Sequence, residues 1–108
     1  MTGHEIFENQ IKKINGIDQY IIVRQDGNIA AHNMKKPDKT GETVFFCGCS
    51  ARAIGKDQFR FLIFSRKSKK DLFIFPAGRY YLGVIKDKNT DTAGLVRKIQ
   101  LSIKACDK

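Results

Sequence analysis

Two short apolar runs, at residues 20–23 and 29–31, flank the dipeptide Asp26-Gly27. Asp-Gly readily supplies the positive φ angles of a tight two-residue turn, so the pattern predicts a β-hairpin over residues 19–31. The first run does not alternate with polar residues, which indicates that both faces of its strand are covered. We therefore expect packed elements on each side of this hairpin.

Apolar residues spaced three and four positions apart predict a helix near each end of the chain. The first helix is expected from residue 2 or 3 to about residue 15, and the last is expected to begin in the capping cluster at residues 89–92. The apolar stripes are Ile6, Phe7, Ile11 and Ile14 in the first helix, and Ala93, Leu95, Val96, Ile99, Ile103 and Cys106 in the last. Each of these helices should bury one face.

A further helix is predicted to begin near Asp38 or Thr40, either of which could cap it, and to end at about residues 54–55. Its apolar residues lie most of the way around the helix, so it requires burial on more than one side. Gly48 costs such a helix about 1 kcal/mol relative to alanine. Residues 44–49, read alone, are also compatible with a strand.

Three later runs rich in aromatic and branched residues predict strands at residues 58–65, 71–75 and 80–85, with the second ended by Pro76. The connections between them are too short for a parallel crossover, so the strands form an antiparallel meander. Together with the hairpin, they predict an α+β fold with a five-stranded antiparallel sheet and helices on its faces.

Length and composition indicate one globular domain spanning residues 1–108. Hydrophobic residues make up 42% and charged residues 29%, as in globular rather than disordered proteins. The sequence has no run of about 18 apolar residues, and its start lacks the basic and apolar regions of a signal peptide. We therefore expect a cytoplasmic protein without a membrane span.

The sequence shows no catalytic or metal-binding pattern. Cys47, Cys49 and Cys106 have no paired spacing with His4 or His32, and we expect them to be reduced, structural thiols. Neither a phosphate-binding glycine loop nor a Ser/His/acid set is present. The prediction is a protein that is not an enzyme and that holds no metal ion and no cofactor.

The formal net charge of +9 is concentrated in residues 35–70, which carry ten basic and three acidic side chains. Such a surface favours an acidic partner, whether nucleic acid, an anionic membrane or an acidic protein face. Its densest part, Arg66, Lys67, Lys69 and Lys70, is either a weak anionic-partner site or a solvated hairpin tip. Two alternatives stay open: a nucleic-acid-binding module and a small-molecule sensor with a cavity under a helix.

Several of these patterns together resemble the roadblock/dynein light chain family, over about residues 5–104. The residues that carry the resemblance are Ile11, Ile14, Gly16 and Ile17 before the first strand, Tyr20, Ile21, Ile22, Val23, Asp26, Gly27, Ile29 and Ala30 in the hairpin, and Tyr81, Leu82, Val84, Ile85 and Leu95 near the end. The resemblance implies a profilin-like fold with strand order 2-1-5-4-3, with the first and last helices on one face and the second on the other. It also implies homodimerisation through the second helix and third strand, and either regulation of Ras-like small GTPases or a light-chain role in larger assemblies.

An exposed edge supports self-association independently of the resemblance. If residues 58–65 form an edge strand, unpaired backbone groups lie beside apolar side chains, and two copies joined about a two-fold axis would cover them. The residues expected in this contact are Phe45, Phe46, Phe59, Phe61 and Ile63. Arg52 and Lys56, expected on the exposed side of the second helix, are candidates to meet the GTPase. The sequence thus predicts a non-enzymatic homodimeric regulator or scaffold of a Ras-like small GTPase.

Overall fold

The computed structural model describes residues 3–55, 60–65 and 70–106 of the chain. Its elements, in chain order, are α1 (Gly3–Lys12), β1 (Ile17–Arg24), β2 (Ile29–His32), α2 (Pro37–Gly55), β3 (Leu62–Phe64), β4 (Leu72–Ala77), β5 (Tyr80–Lys86) and α3 (Thr92–Cys106). The order of helices and strands is the one predicted from the sequence.

The five strands form one sheet in the order β2-β1-β5-β4-β3, and every neighbouring pair is antiparallel. The expected α+β fold and strand order are therefore confirmed. Strand β1 lies beside β5 over nearly its whole length, from Ile17 opposite Lys86 to Arg24 opposite Tyr80. Strands β2 and β3 form the two edges.

Apolar side chains cover both faces of the sheet. On one face, α1 and α3 pack on Tyr20 and Ile22 of β1, whereas on the other face α2 packs on Ile21 and Val23. Successive side chains of a strand point to opposite faces, so an uninterrupted apolar run feeds two cores. The prediction that β1 is covered on both sides is confirmed.

The turn between β1 and β2 is longer than expected. Four residues, Gln25 to Asn28, connect the two strands, so the prediction of a two-residue turn is wrong. The N–H of Gly27 donates to the Arg24 carbonyl at 2.9 Å, and the Arg24 N–H donates to the Asn28 carbonyl at 2.8 Å. Gly27 has a φ of 94°, and Asp26 accepts a hydrogen bond from the Asn28 N–H at 3.0 Å. The glycine thus supplies the expected left-handed conformation, but within a wider turn.

Two strand boundaries also differ from the predictions. Strand β3 contains three residues, whereas a strand over residues 58–65 was expected; residues 58 and 59 lie outside the described residues. Pro76 does not end β4, which continues to Ala77 and pairs Pro76 with Tyr81 of β5. Strand β3 pairs with residues 72–74 of β4, so Pro76 lies beyond this pairing. A strand position that does not have to donate an N–H to a neighbouring strand tolerates proline.

Candidate functional site

Two glycines hold α2 close to the middle of the sheet. A Cβ atom at Gly83 of β5 would lie 2.5 Å from Cγ2 of Val44, and a Cβ at Gly48 would lie 2.7 Å from the Tyr81 ring. Real Cβ atoms do not approach other atoms so closely, so α2 sits where these two glycines permit it. This packing decides which side of α2 faces away from the protein.

The side of α2 that faces away from the sheet carries an exposed aromatic residue. We define the α2 outer stripe as Lys39, Glu42, Phe46 and Ala53, which are all exposed and lie three, four and seven residues apart. Within this stripe the Phe46 side chain is 71% exposed, the largest exposure among the exposed large hydrophobic side chains of the described residues. A large aromatic side chain in water is informative when other apolar groups lie near it.

Exposed apolar groups also lie on β3, which among the described strands has one hydrogen-bonded neighbour, β4. The side chains of Phe61, Ile63 and Phe64 are 38%, 45% and 39% exposed. An apolar edge strand offers both unpaired backbone groups and apolar side chains to another chain. We call residues 61–64 the β3 edge.

The β3 edge is divided between the two faces of the sheet. Leu62 packs into the core under α2, and alternation places Phe64 on the same face. Phe61 lies on the other face, where its ring stacks on Phe75 with 5.8 Å between centroids, and Ile63 pairs with Phe73. A partner that covers this edge would therefore contact both faces.

The five residues predicted to take part in self-association differ in their exposure. Phe46, Phe61 and Ile63 are exposed, as such a role requires, whereas Phe59 lies outside the described residues. Phe45 is half-buried in the core under α2, and its ring would contact a Cβ at Gly27 at 3.7 Å, so it packs within its own protomer. Phe64, which the sequence places in the predicted edge strand but not among the five residues, is also exposed.

Arg52 does not project freely from α2, contrary to the expectation that it lies on the exposed side. It is half-buried on the flank of the helix, with its guanidinium carbon 5.4 Å from the centroid of the Tyr81 ring. Lys56, the other predicted partner-binding residue, lies outside the described residues. The partner-binding role of both residues stays a prediction.

Burial favours the neutral forms of the Tyr81 phenol and the Cys47 thiol. Burial raises the pKa of Tyr81, and its contact with Cys49, with 3.8 Å between the oxygen and Sγ, raises this pKa further, although the Arg52 charge opposes the change. Burial also raises the pKa of Cys47. A thiol with a raised pKa is a poor nucleophile at neutral pH. Within the described part of the chain, no three His, Cys, Asp or Glu side chains are grouped to hold a metal ion.

The predicted basic tract lies mostly outside the described residues, which include Lys70 but not Arg66, Lys67 or Lys69. The Lys70 Nζ lies 3.3 Å from Oδ2 of Asp18. An open cleft of about 330 Å³ is lined by Lys70, Asp71, Phe73, Lys86, Lys88 and Thr92. Lys86 donates within the protein, to the carbonyls of Thr90 at 2.8 Å and Asp87 at 3.1 Å, so this cleft is not a cluster of unused cations.

Among the described helices, none combines the length and apolar character needed to cross a lipid bilayer.

Comparison with known proteins identifies the fold. No protein-family model and no curated protein sequence matches the chain. Among solved structures, the Roadblock/LC7 domain from Streptomyces avermitilis has a TM-score of 0.68 at 17% identity, covering 95% of this chain and 92% of that one. MglB with a tetrameric arrangement also has a TM-score of 0.68, at 16% identity, covering 96% of this chain and 84% of that one. The chain has the roadblock fold.

The same roadblock fold extends to profilins. LokiProfilin2 in a complex with rabbit actin has a TM-score of 0.63 at 15% identity and covers 94% of this chain and 92% of that one. These identities are low, so the likeness concerns the path of the backbone and not the residues of a binding site. The resemblance inferred from the sequence is confirmed at the level of the fold, including its profilin-like character.

Proposed function

We propose that this roadblock-fold chain is a cytoplasmic, non-enzymatic homodimer that binds a Ras-like small GTPase as a regulator or scaffold. The observation that carries the proposal is the exposure of large apolar side chains at Phe46 on α2 and along the β3 edge. The family resemblance of the sequence supports the choice of a small GTPase as partner. A solved MglB with the same fold has a tetrameric arrangement, which supports self-association.

The β3 edge suits a contact between two copies. A two-fold axis beside β3 would align the strand with its own copy and continue the antiparallel sheet across both protomers. Burying a fully exposed phenylalanine contributes on the order of 1.5 to 3 kcal/mol. Phe46, at 71% exposure, would gain most of this in the contact, and Phe61 and Phe64, at 38% and 39% exposure, would each gain a smaller part. Strand β3 is only three residues long, so side-chain burial must contribute more than the backbone hydrogen bonds.

Regulation in this proposal comes from reshaping the partner and not from chemistry on this chain. The Arg52 guanidinium is held against Tyr81 on the flank of α2, where it can present its N–H donors to an acidic group. Lys56 follows in the sequence after the end of α2. These two residues are our candidates for the GTPase contact.

The proposal is tested by affinity capture from the source cell, with the wild-type chain compared with Arg52→Glu plus Lys56→Glu. We expect the wild type to retain a small GTPase with its guanine nucleotide, and the double variant to lose at least about 90% of it, because two favourable charges become repulsive. The matched control is Lys98→Glu plus Lys104→Glu, which makes the same charge change at exposed residues of α3 and should retain the GTPase. Equal capture by all three proteins would show that Arg52 and Lys56 are not the contact.

A further inference from the structure

Four of the chain's six arginines come together at one end of the sheet. Arg24 is the last residue of β1, Arg79 lies in the turn between β4 and β5, Arg52 is in the last turn of α2, and Arg60 precedes the β3 edge. We call this set, Arg24, Arg52, Arg60 and Arg79, the arginine end. It is contributed by four separate parts of the chain, so the sequence does not show it as a cluster.

Hydrogen bonds between two turns fix Arg24 and Arg79 relative to each other. The Gln25 N–H donates to the Arg79 carbonyl at 3.2 Å, and Nε2 of Gln25 donates to the Gly78 carbonyl at 3.0 Å. Arg24 is also paired with Tyr80, the neighbour of Arg79, across β1 and β5. Both arginines are exposed, and their backbones are held by the sheet rather than by a free loop.

A contact with Tyr81 and the pairing of β3 with β4 place Arg52 and Arg60 at the same end of the sheet. The Arg52 guanidinium lies over Tyr81, whose strand partner is Val23, the residue before Arg24. Arg60 precedes Phe61, whose ring stacks on Phe75 near the same end of β4. Arg60 is exposed. The four arginines thus surround the end of the sheet at which β1 and β4 terminate.

Among the described residues, the segments that carry the four arginines hold mainly positive charge. In the segments that carry the four arginines, residues 24–28, 50–55, 60–61 and 77–80, Asp26 is the one acidic residue. Its Oδ2 lies 3.4 Å from Nη2 of Arg24, with both side chains about half exposed. The opposite end of the sheet is different, because Lys70 lies 3.3 Å from Asp18, and Lys70, Lys86 and Lys88 share their segments with Asp71, Asp87 and Asp91.

The presence of arginine rather than lysine at the arginine end indicates the chemistry of the ligand. A guanidinium group is planar, carries five N–H donors and binds a carboxylate through two parallel hydrogen bonds, which an ammonium group cannot do. The Arg52 guanidinium carbon lies 5.4 Å from the centroid of the Tyr81 ring, a cation–π contact that uses none of its N–H donors for a hydrogen bond to that ring. Such a surface fits carboxylates.

We infer that the arginine end binds a carboxylate-rich surface of a protein partner. The inference rests on the proposed function for the identity of that partner, but it assigns the contact to a surface distinct from the α2 outer stripe and the β3 edge. Tyr81, the ring against which the Arg52 guanidinium lies, is buried, so it offers little to the bases of a nucleic acid. An off-axis site occurs twice in a two-fold dimer, so each homodimer would carry two such sites.

The test is an NMR titration of the full, isotope-labelled chain with a deca-glutamate peptide at low salt. We expect the largest amide shifts at Arg24, Gln25, Arg79 and Tyr81. Arg24→Glu plus Arg79→Glu should weaken binding by about tenfold or more, whereas Lys35→Glu plus Lys88→Glu, exposed residues outside the arginine end, should weaken it by less than about threefold. Arg24→Lys plus Arg79→Lys should weaken binding by about threefold at unchanged charge, because bidentate pairing is lost.

Shifts centred on Lys35 and Lys88, or equal losses from the arginine and lysine charge reversals, would overturn the inference. The spectra also show whether each variant is folded, and if the Arg→Glu pair is not, the Arg→Lys pair decides. Tighter binding of a single-stranded oligonucleotide of equal charge at the same residues would overturn it in favour of nucleic acid. None of these outcomes depends on dimerisation or on capture of a GTPase, so this inference and the proposed function can fail separately.

Discussion

At the scale of single residues, a hydrogen bond between Tyr20 and Glu8 joins α1 to β1. The Tyr20 hydroxyl donates to Oε2 of Glu8 at 2.5 Å, and the Tyr20 side chain is buried. Burial raises the pKa of this phenol well above its ordinary value, and the hydrogen bond and negative charge of Glu8 raise it further. The folded state therefore favours the neutral phenol more strongly than the unfolded chain does.

This difference predicts a loss of stability at high pH. Above the ordinary tyrosine pKa of about 10, Tyr20 ionises in the unfolded chain but stays neutral in the folded protein, so the free energy of unfolding falls as pH rises. Each such group contributes a slope of up to about 1.4 kcal/mol per pH unit, and below this range its contribution is fully present. In urea unfolding between pH 9 and pH 11, Tyr20→Phe should show a smaller decrease than the wild type.

At pH 8 the same variant should be less stable by about 1 to 2 kcal/mol, because the bond to Glu8 is lost. Identical pH dependence for the variant and the wild type would mean that the Tyr20 phenol ionises as easily in the folded protein as in the unfolded chain.

At the scale of elements, the position of α2 depends on Gly48 lying directly on Tyr81. Gly48→Ala should lower the free energy of unfolding by about 1 to 3 kcal/mol, because the added methyl group collides with the ring. Alanine favours helix over glycine by about 1 kcal/mol, so this loss is a net effect. Gly94→Ala in α3 is the matched control: its Cβ would meet only the Asp91 carboxylate, at 3.1 Å, and the variant should be as stable as the wild type or more stable.

Both variants are compared with the wild type by chemical denaturation. If Gly48→Ala were as stable as Gly94→Ala, α2 would not be held by this contact, and the outward direction of Phe46 would lose its physical basis.

The sequence predicted elements with a long periodic pattern better than it predicted their ends. The stripes of α1 and α3 and the uninterrupted run of β1 express burial directly, so they were found. The four-residue turn and the short β3 depend on pairing between distant segments, which local residue preferences do not encode. Arg52 was misplaced for a similar reason, since its position on the flank of α2 follows from its contact with Tyr81.

The candidate site was only partly predictable. Phe46 and Ile63 could be selected from the sequence, because they are apolar residues of a predicted helix and a predicted edge strand. The face of the sheet on which Phe64 lies follows from alternation once Leu62 is known to face α2. The arginine end was not predictable, because Arg24, Arg52, Arg60 and Arg79 are far apart in the sequence. Only the strand order brings their segments to one end of the sheet.

At the scale of the whole molecule, the surface is divided by function in this account. We propose that the α2 outer stripe and the β3 edge serve self-association and that the arginine end serves an acidic partner. If the two-fold axis lies beside β3, the two antiparallel sheets place the arginine ends of the two protomers at opposite ends of the dimer. Two partner molecules could then bind one dimer without contacting each other.

The measurement that tests the account most directly is the mass of the chain by light scattering at micromolar concentration. The account predicts a mass twice that of the 12.3 kDa chain for the wild type. Phe46→Asp plus Ile63→Asp should reduce the mass to that of one chain, because each places a charge in the buried contact. Leu101→Asp, at a side chain of α3 that is 59% exposed, should leave the dimer intact. A wild-type mass of one chain would contradict the central claim.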